Sequence, residues 1–290
     1  EINKDRESHG KKPLKRDDDD TPPPPETKNI KESTTDPESG LFHKGEHEKC
    51  FAYTANTICD RNNFILGFSV GAGNIHDSRM FDDLYAETIK KFTEIEVIAV
   101  DAGYKTPWIM KQIIDSNRIP AVPYKRPMTK PGFFKKYEYV YDEYYDCMIC
   151  PANKVLKYST TNRDGYREFK SDPQQWKGCE FLASCTHSKA QQKVVTRDVW
   201  ESYMELAEEY RHTPVYRDVY QMRGQTIERV FADAKEKHAM RYTQLRGLQK
   251  LKMQVTLTFA CMNLQKLATW KRRKGLLPTA IQYLYCKFAG

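Results

Sequence analysis

The 290-residue chain is informative first in what it lacks. No run reaches the roughly 18 apolar residues that a membrane-spanning helix needs. The longest candidate, Val255 to Leu267, is interrupted by Thr256, Thr258, Asn263, Gln265 and Lys266. With charged residues at 30%, this excludes a membrane-embedded class. There is no apolar stretch near the start, which reads EINKDRESHGKKPLK, so no secretory leader is expected. The first residue is not Met. Cysteine is modest at eight residues, and without a leader the default is free thiols in a reducing compartment. No internal repeat is present. What is there suffices for a core: hydrophobic residues make up 39%, and the length suits one large domain or two smaller ones.

Residues 1–33 contain Asp17 to Asp20 and Pro22 to Pro25 with few large apolar side chains, the composition of a disordered charged linker. Order is expected from Thr34. Phe51 to Ile58 and Phe64 to Val70 flank the turn residues Cys59 to Asn63 and predict a hairpin. Asp77-Ser78 can cap a helix running to about Phe92, with Met80, Leu84, Tyr85 and Ile89 on one face. Ile95 to Val100 is a short apolar strand ending at Asp101, and Thr106-Pro107 opens a further helix. Ala121 to Tyr124 is the next strand. Hairpin, helix, strand, helix, strand predicts an α/β core with a mixed sheet. Residues 126–198 break this rhythm and read as an insertion of short strands and loops. From Thr196 to Tyr210, from about Val219 to His238, and from Leu248 to Lys271, apolar residues recur at helical spacing.

The charge is unevenly spread. Residues 221–274 hold thirteen Lys and Arg against Glu228, Asp233 and Glu236, an excess of +10. With +8 for the whole chain, the remainder carries −2. A concentrated basic surface is the electrostatic footprint of phosphate binding and favours nucleic acid over a merely solvated helix face.

Two carboxylates stand out. Asp101 ends a buried strand, the place where open α/β sheets put their ligands, although it is equally placed to cap the following helix. Glu228 precedes Lys235 by seven residues, nearly the same helix face. Alone, Glu228 reads as an exposed acid among basic neighbours. Two acids beside a basic helix suggest Mg²⁺ held by carboxylates for phosphodiester chemistry, in which two ions about 3.5–4 Å apart stabilise the attacking and leaving oxygens.

Cys147-Met-Ile-Cys150, with Cys179 and Cys185, offers the ligands of a structural zinc site. The five-residue gap between Cys179 and Cys185 departs from the usual spacing; His187 is an alternative ligand, and buried thiols without metal are the competing reading. His43 and His47 read as solvated loop residues. Tyr137, Tyr139, Tyr141, Tyr144 and Tyr145 suit either stacking on bases or core packing.

The stretches TTDPESGLFHKGEHEKCFAYTANT, GNIHDS, VIAVDAGYKTP, QTIERVFADAKEKH, RGLQKLKMQ and MNLQKLA, in this order, resemble DDE transposases of bacterial insertion sequences. The resemblance runs from about Thr34 to Lys274, and ESHGKKPLK resembles that family's linker. It implies a ribonuclease H-like α/β fold, a mixed sheet flanked by helices with a Cys-containing insertion and a C-terminal helical part. It also implies an Asp–Asp–Glu triad binding Mg²⁺ (or Mn²⁺). The chemistry implied is hydrolysis at the transposon end, then attack of the freed 3′-OH on target DNA. The implied partners are double-stranded DNA, as transposon ends and target, and self or an intact transposase. The implied location is the bacterial cytoplasm, at the nucleoid. Asp101 matches the second acid and Glu228 the third. A tyrosine–arginine–glutamate–lysine signature matches Tyr220, Arg223, Glu228 and Lys235, and Arg241 and Arg246 join the DNA-binding candidates. Between Arg223 and Glu228 lie four residues where three are expected. On a continuous helix one extra residue turns a side chain by about 100°.

The divisions expected are a linker at 1–33, a first core part at 34–125, the insertion at 126–198, C-terminal helices completing the core at 199–275, and a tail at 276–290. In the family the first acid lies on a strand before the linker, so the chain is expected to be N-terminally truncated and, by itself, catalytically dead or strongly impaired. Asp36 and Asp77 are the available stand-ins, and neither is assigned to the triad. A sheet lacking that strand is expected to leave backbone unpaired and to be aggregation-prone. Two other readings are a non-catalytic DNA-binding remnant that inhibits an intact transposase, and a zinc-ribbon nucleic-acid module.

Overall fold

A computed structural model describes residues 1–14, 31–44, 48–126 and 128–275. The Asp17–Asp20 and Pro22–Pro25 runs, His47 and the 276–290 tail lie outside the described residues. The chain opens with helix α1 (Ile2–Ser8). The expectation of disorder from residue 1 therefore does not hold for residues 1–14. The reason is long-range pairing that local composition cannot reveal. Asp5 makes an ion pair with Arg167. Arg6 donates to Thr160 Oγ1 at 2.7 Å and to the Thr161 carbonyl at 2.5 Å. His9 meets Asp146 and stacks on Tyr158 with ring centroids 3.8 Å apart.

Strands β1 (Gly40–Lys44), β2 (Glu48–Cys59) and β3 (Ile65–Ala72) form an antiparallel sheet in that order, β1 pairing with the first part of β2 and β3 with the rest. His43 thus lies in a strand rather than a loop. The expected turn closes the β2–β3 hairpin: Asp60 Oδ1 accepts from Asn62 N at 2.9 Å and Phe64 N at 2.8 Å. Asn63 takes φ 67°, a left-handed conformation that Asn tolerates better than most residues.

Helix α2 (Phe81–Lys91) follows a 3₁₀ turn at Asp77–Met80. The turn is capped by His76, whose Nδ1 accepts from Ser78 N at 3.2 Å, and not by Asp77, while α2 itself starts after Met80 without a side-chain cap. Then come β4 (Val97–Ala99), α3 (Pro107–Asp115) and β5 (Ile119–Ala121), with β4 and β5 parallel. Thr106 caps α3 by accepting from Ile109 N at 3.3 Å, and Pro107 fills the first turn, where no N–H is needed. Antiparallel and parallel pairing are both present, as expected of the mixed sheet, but as two separately hydrogen-bonded sheets.

The insertion is a five-stranded antiparallel sheet: β6 (Val140–Asp142), β7 (Cys147–Ile149), β8 (Val155–Thr161), β9 (Tyr166–Lys170) and β10 (Val194–Asp198). Each strand pairs with the next along the chain. Two short helices, α4 (Pro173–Trp176) and α5 (Leu182–Cys185), sit between β9 and β10. Thr196 to Asp198, read as the start of a helix, belongs to β10, because Val195 turns into the insertion's core. That core also holds Leu156 and Phe169, both 0% exposed.

Helices α6 (Glu201–Tyr210), α7 (Pro214–Gln221), α8 (Ile227–Lys237) and α9 (Leu248–Arg273) complete the fold. Two further cores result. Val230 and Ala234 of α8 and Leu251, Val255, Phe259 and Met262 of α9 cover Ile65 and Val70 of β3. Phe81, Tyr85, Ile109, Met110, Ile113 and Ala207 close over Val100 and Val122. Asn263 fastens α9 to the start of β3, accepting from Ile65 N and donating to Ile65 O, both at 2.9 Å. The start of α9 is met by two acids from far upstream. Gly247 N lies 3.2 and 3.3 Å from the Asp36 oxygens, and Leu248 N donates to Glu38 Oε2 at 2.6 Å. Carboxylates there are favoured by the exposed amides and the helix dipole. The result is a mixed α/β architecture carrying a separate antiparallel insertion, consistent with the expected fold class.

Candidate catalytic and nucleic-acid site

The predicted second helix, Val219 to His238, is broken. Helix α7 ends at Gln221, a 3₁₀ turn occupies Met222–Gln225, and α8 starts at Ile227. Gly224 is a weak helix former. Thr226, at φ −110° and ψ −94°, turns its hydroxyl onto the Met222 carbonyl at 2.9 Å. Such local side-chain bonding competes with helix continuation. Arg223 and Glu228 are thus not on one helix, and the extra residue between them is absorbed in the turn.

That turn joins the sequence-derived site residues. Arg223 Nη2 lies 3.5 Å from Asp101 Oδ1. Its Nη1 donates to the Tyr220 hydroxyl at 3.0 Å, and the guanidinium lies 5.4 Å from the Tyr220 ring centre. Glu228, exposed on the first turn of α8, reaches back over the same turn. A Cβ on Gly224 would stand 3.8 Å from Glu228 Oε2. Asp101 and Glu228 are thus both placed against the 222–225 turn, one at Arg223 and one at Gly224. Asp101 is 64% exposed and accepts from Ala102 N at 2.7 Å, so it caps its local 3₁₀ turn and faces solvent at once. The helix opening near Thr106 is capped by Thr106 itself, so Asp101 caps the short turn before it and not that helix.

The surroundings hold groups that sequence reasoning passed over. Tyr216 stacks beneath Tyr220 at 5.3 Å and donates to the Val122 carbonyl at 2.6 Å, tying the signature to the sheet. The four-residue spacing of these tyrosines on one helix is the clue that was available. Asp77 lies near enough to Asp101 to feel its charge. Burial pushes the Asp77 carboxyl above its ordinary range, His76 opposes the rise and Asp101 adds to it. Tyr104 donates to Asn56 Oδ1 at 2.8 Å. Burial first, then Asp77 and Asp101, push its phenol upward. Asp36, the other stand-in, is taken up by Tyr53, whose hydroxyl lies 2.9 and 3.0 Å from its oxygens, and by Gly247 N.

Lys235 is exposed on α8 and Arg246 on the segment before α9, while Arg241 is paired with Glu236. Lys250, Lys252, Lys271, Arg272 and Arg273 are exposed along α9. No acid occurs on that helix. The basic excess thus lies on exposed positions of α8, α9 and the segment between them.

Among the described residues there is no group of three or more His, Cys, Asp or Glu that could hold a metal ion. Asp101 and Glu228 alone do not make the Asp–Asp–Glu donor set, so the residues present do not fit the two-ion arrangement as they stand. The zinc reading meets the same finding. Met148 turns into the insertion's core and, by strand alternation, Cys147 turns to the other face. Cys150 and Cys185 are core residues, with Cys185 Sγ 3.5 Å from the Tyr139 hydroxyl. Cys179 is a partly exposed free thiol. The tyrosines divide: Tyr139 and Tyr141 pack with the core, whereas Tyr137, Tyr144 and Tyr145 are exposed.

No helix among the described residues is long and apolar enough to cross a membrane. Residues 149–268 match the family model described as Transposase DDE domain. No curated protein and no solved structure matches the chain. The matched stretch contains Tyr220, Arg223, Glu228 and Lys235, and agrees with the motifs on the family.

Proposed function

We propose, taking the chain as a DDE transposase with DNA as its substrate, that Asp101 and Glu228 are carboxylates of the strand-cleaving site and that the basic helices α8 and α9 hold the duplex. The observation carrying this is the 222–225 turn, at which Arg223 meets Asp101 and Glu228 reaches Gly224. In this reading Arg223 positions Asp101 and Tyr220 positions Arg223. Lys235, Arg241 and Arg246 bind backbone phosphates. Family chemistry draws on Mg²⁺ or Mn²⁺, for which Asp101 and Glu228 would supply two carboxylate donors. The described residues supply two carboxylates of the triad, and the third is assigned to none of them.

The test separates binding from chemistry. Lys235→Ala and Arg246→Ala should each weaken duplex binding across sequences and lower the salt slope by about one unit. Asp101→Asn and Glu228→Gln should leave duplex binding within about threefold, because neither acid contacts phosphate favourably. Mg²⁺-dependent cleavage at transposon ends by the full-length protein should be lost in both acid variants. Cleavage that survives Asp101→Asn would remove that residue from the site.

A further inference from the structure

Helix α9 is apolar on two opposite sides. Leu251, Val255, Phe259 and Met262 are buried in the core over β3. Met253, Leu257, Ala260, Leu264 and Leu267 fall on the other side at 3.6 residues per turn, and all five are exposed. Met253, Leu257 and Leu264 are open to solvent at 57%, 60% and 63%. The intervals along this stripe are four, three, four and three residues. That alternation keeps side chains in line along a helix and is the seam by which two helices pack. A helix apolar all round is a buried one, and an exposed apolar stripe marks a surface that another element covers.

Charge narrows what can cover it. No acid occurs on α9, and Lys250 and Lys271 continue the same spacing at the two ends of the seam. Two copies of α9 laid together in either direction would bring these lysines face to face with no acid between them, which is unfavourable. The seam therefore calls for an apolar segment with little charge, and the chain holds one. Residues 276–290 lie outside the described residues, and their sequence has a single charged side chain, Lys287. Leu277, Ile281, Leu284 and Phe288 recur there at intervals of four, three and four. The connection is short. Lys274 N donates to the Trp270 carbonyl at 3.1 Å and Gly275 N to the Arg272 carbonyl at 3.0 Å. Gly275 takes φ +67°, the left-handed conformation with which helices stop and the chain turns aside. Pro278 suits the first turn of a following helix. Antiparallel helix pairs are joined by links of about two to five residues.

We propose that the segment from Leu277 to Phe288 docks antiparallel on the outer seam of α9. With Leu267 opposite Ile281, Leu264 falls opposite Leu284 and Ala260 opposite Phe288, a small residue against a large one, as interdigitating faces require. The same register sets Cys261, exposed on α9, beside Cys286. The contact does not depend on the DNA reading, and it closes the seam to a second copy of the chain.

The two native thiols supply the test. The full chain is reduced and treated with dibromobimane, which joins two neighbouring thiols, and the joined peptides are identified by mass spectrometry. Cys286 should be joined to Cys261 of the same chain at least about tenfold more than to Cys50, which is also exposed, because a docked neighbour has a high effective concentration. The yield should not change with protein concentration. Leu264→Asp and Leu284→Asp should each lower it at least about fivefold, since a carboxylate in the seam has no partner, whereas Met253→Asp, beyond the paired span, should leave it within about twofold. Leu264 and Met253 are exposed, so their replacement removes no core packing, and circular dichroism checks that each variant folds. Joining of Cys286 to Cys50 as readily as to Cys261, or a yield unchanged by both Leu264→Asp and Leu284→Asp, overturns the contact. So does a Cys261–Cys286 link that forms only between chains and grows with concentration, which would give the seam to a second copy.

Discussion

The inserted sheet and the β2–β3 hairpin are both antiparallel, yet they are finished to different degrees. In the insertion, each strand pairs with its neighbour in sequence and the core holds Leu156, Phe169 and Trp176 at 1% exposure or less. On the hairpin, Thr54 Oγ1, Asn56 Nδ2, Thr57 Oγ1, Asn63 Oδ1 and Ser69 Oγ are buried without a hydrogen-bond partner among the described residues. Within the inserted strands the corresponding atom is Arg167 Nε. Each unanswered buried group costs about 1–3 kcal/mol. The insertion thus closes its own core through neighbouring strands, with α1 answering polar groups on one face. The hairpin, which borders Asp101 through the Asn56–Tyr104 hydrogen bond, keeps polar groups in reserve. Such incompleteness concentrates where function competes with stability.

The sharpest way to break this comparison is to hollow out each region in turn. Phe169→Ala removes a ring that is 0% exposed, and Phe259→Ala removes one at 2% from the α9–hairpin core. Each should cost about 3–5 kcal/mol. Hydrogen exchange should localise the damage. Phe169→Ala should lose protection across 147–198 while α8 and α9 keep theirs, and Phe259→Ala should do the reverse. A single global loss in both variants would show that the two regions fold as one unit.

A smaller effect sharpens the same contrast from the polar side. Thr57→Val replaces a buried hydroxyl that has no partner with a methyl group of similar shape. Removing an unsatisfied group in this way is neutral or stabilising, by up to about 1 kcal/mol, and Val suits a strand. The melting temperature should therefore hold or rise. A clear fall would mean that the hydroxyl is answered in solution and that the hairpin is no less complete than the insertion.

How much of this was legible in sequence follows the range of the forces involved. The hairpin, α2, α3 and α9 were readable because periodicity and turn chemistry are local. Leu251, Val255 and Phe259 repeat every four residues, and Asp60 to Asn63 can form little but a turn. The break at Met222–Gln225 was not readable, since its residues fit a helical spacing and only the Thr226 hydroxyl bonding reveals the stop. Helix α1 was missed because Asp5, Arg6 and His9 find their partners more than 130 residues away. Asp101, Arg223 and Glu228 were singled out as candidates by motif, but their proximity to one turn was not foreseeable. The four-thiol cluster failed because period-two alternation sends Cys147 and Met148 to opposite faces.

The smallest expected effect concerns pH, near Asp101. Glu208 on α6 receives Lys105, which follows the Asp101 turn and is only 6% exposed at its side chain. It also receives Arg211 Nε at 2.8 Å. Burial alone would push the Glu208 carboxyl up, but the hydrogen bonds from Lys105 and Arg211 outweigh it and hold the group below its ordinary range. A carboxylate depressed in the folded state contributes stability above its unfolded value of about 4.3, and the contribution is lost as pH falls through the folded value. Asp146, on the inserted sheet, is depressed in the same direction, whereas Asp77 and Asp198 are raised and act with the opposite sign. The absolute acid limb of the stability curve is therefore a sum, and the informative quantity is the difference between the parent chain and Glu208→Gln. That difference should be largest near neutral pH, where Lys105 loses its charged partner, and should shrink steadily below about pH 4. Melting temperatures across pH 3–7 measure it. A difference that is constant with pH would show that Glu208 acts through its size and neutral hydrogen bonds, not through its charge.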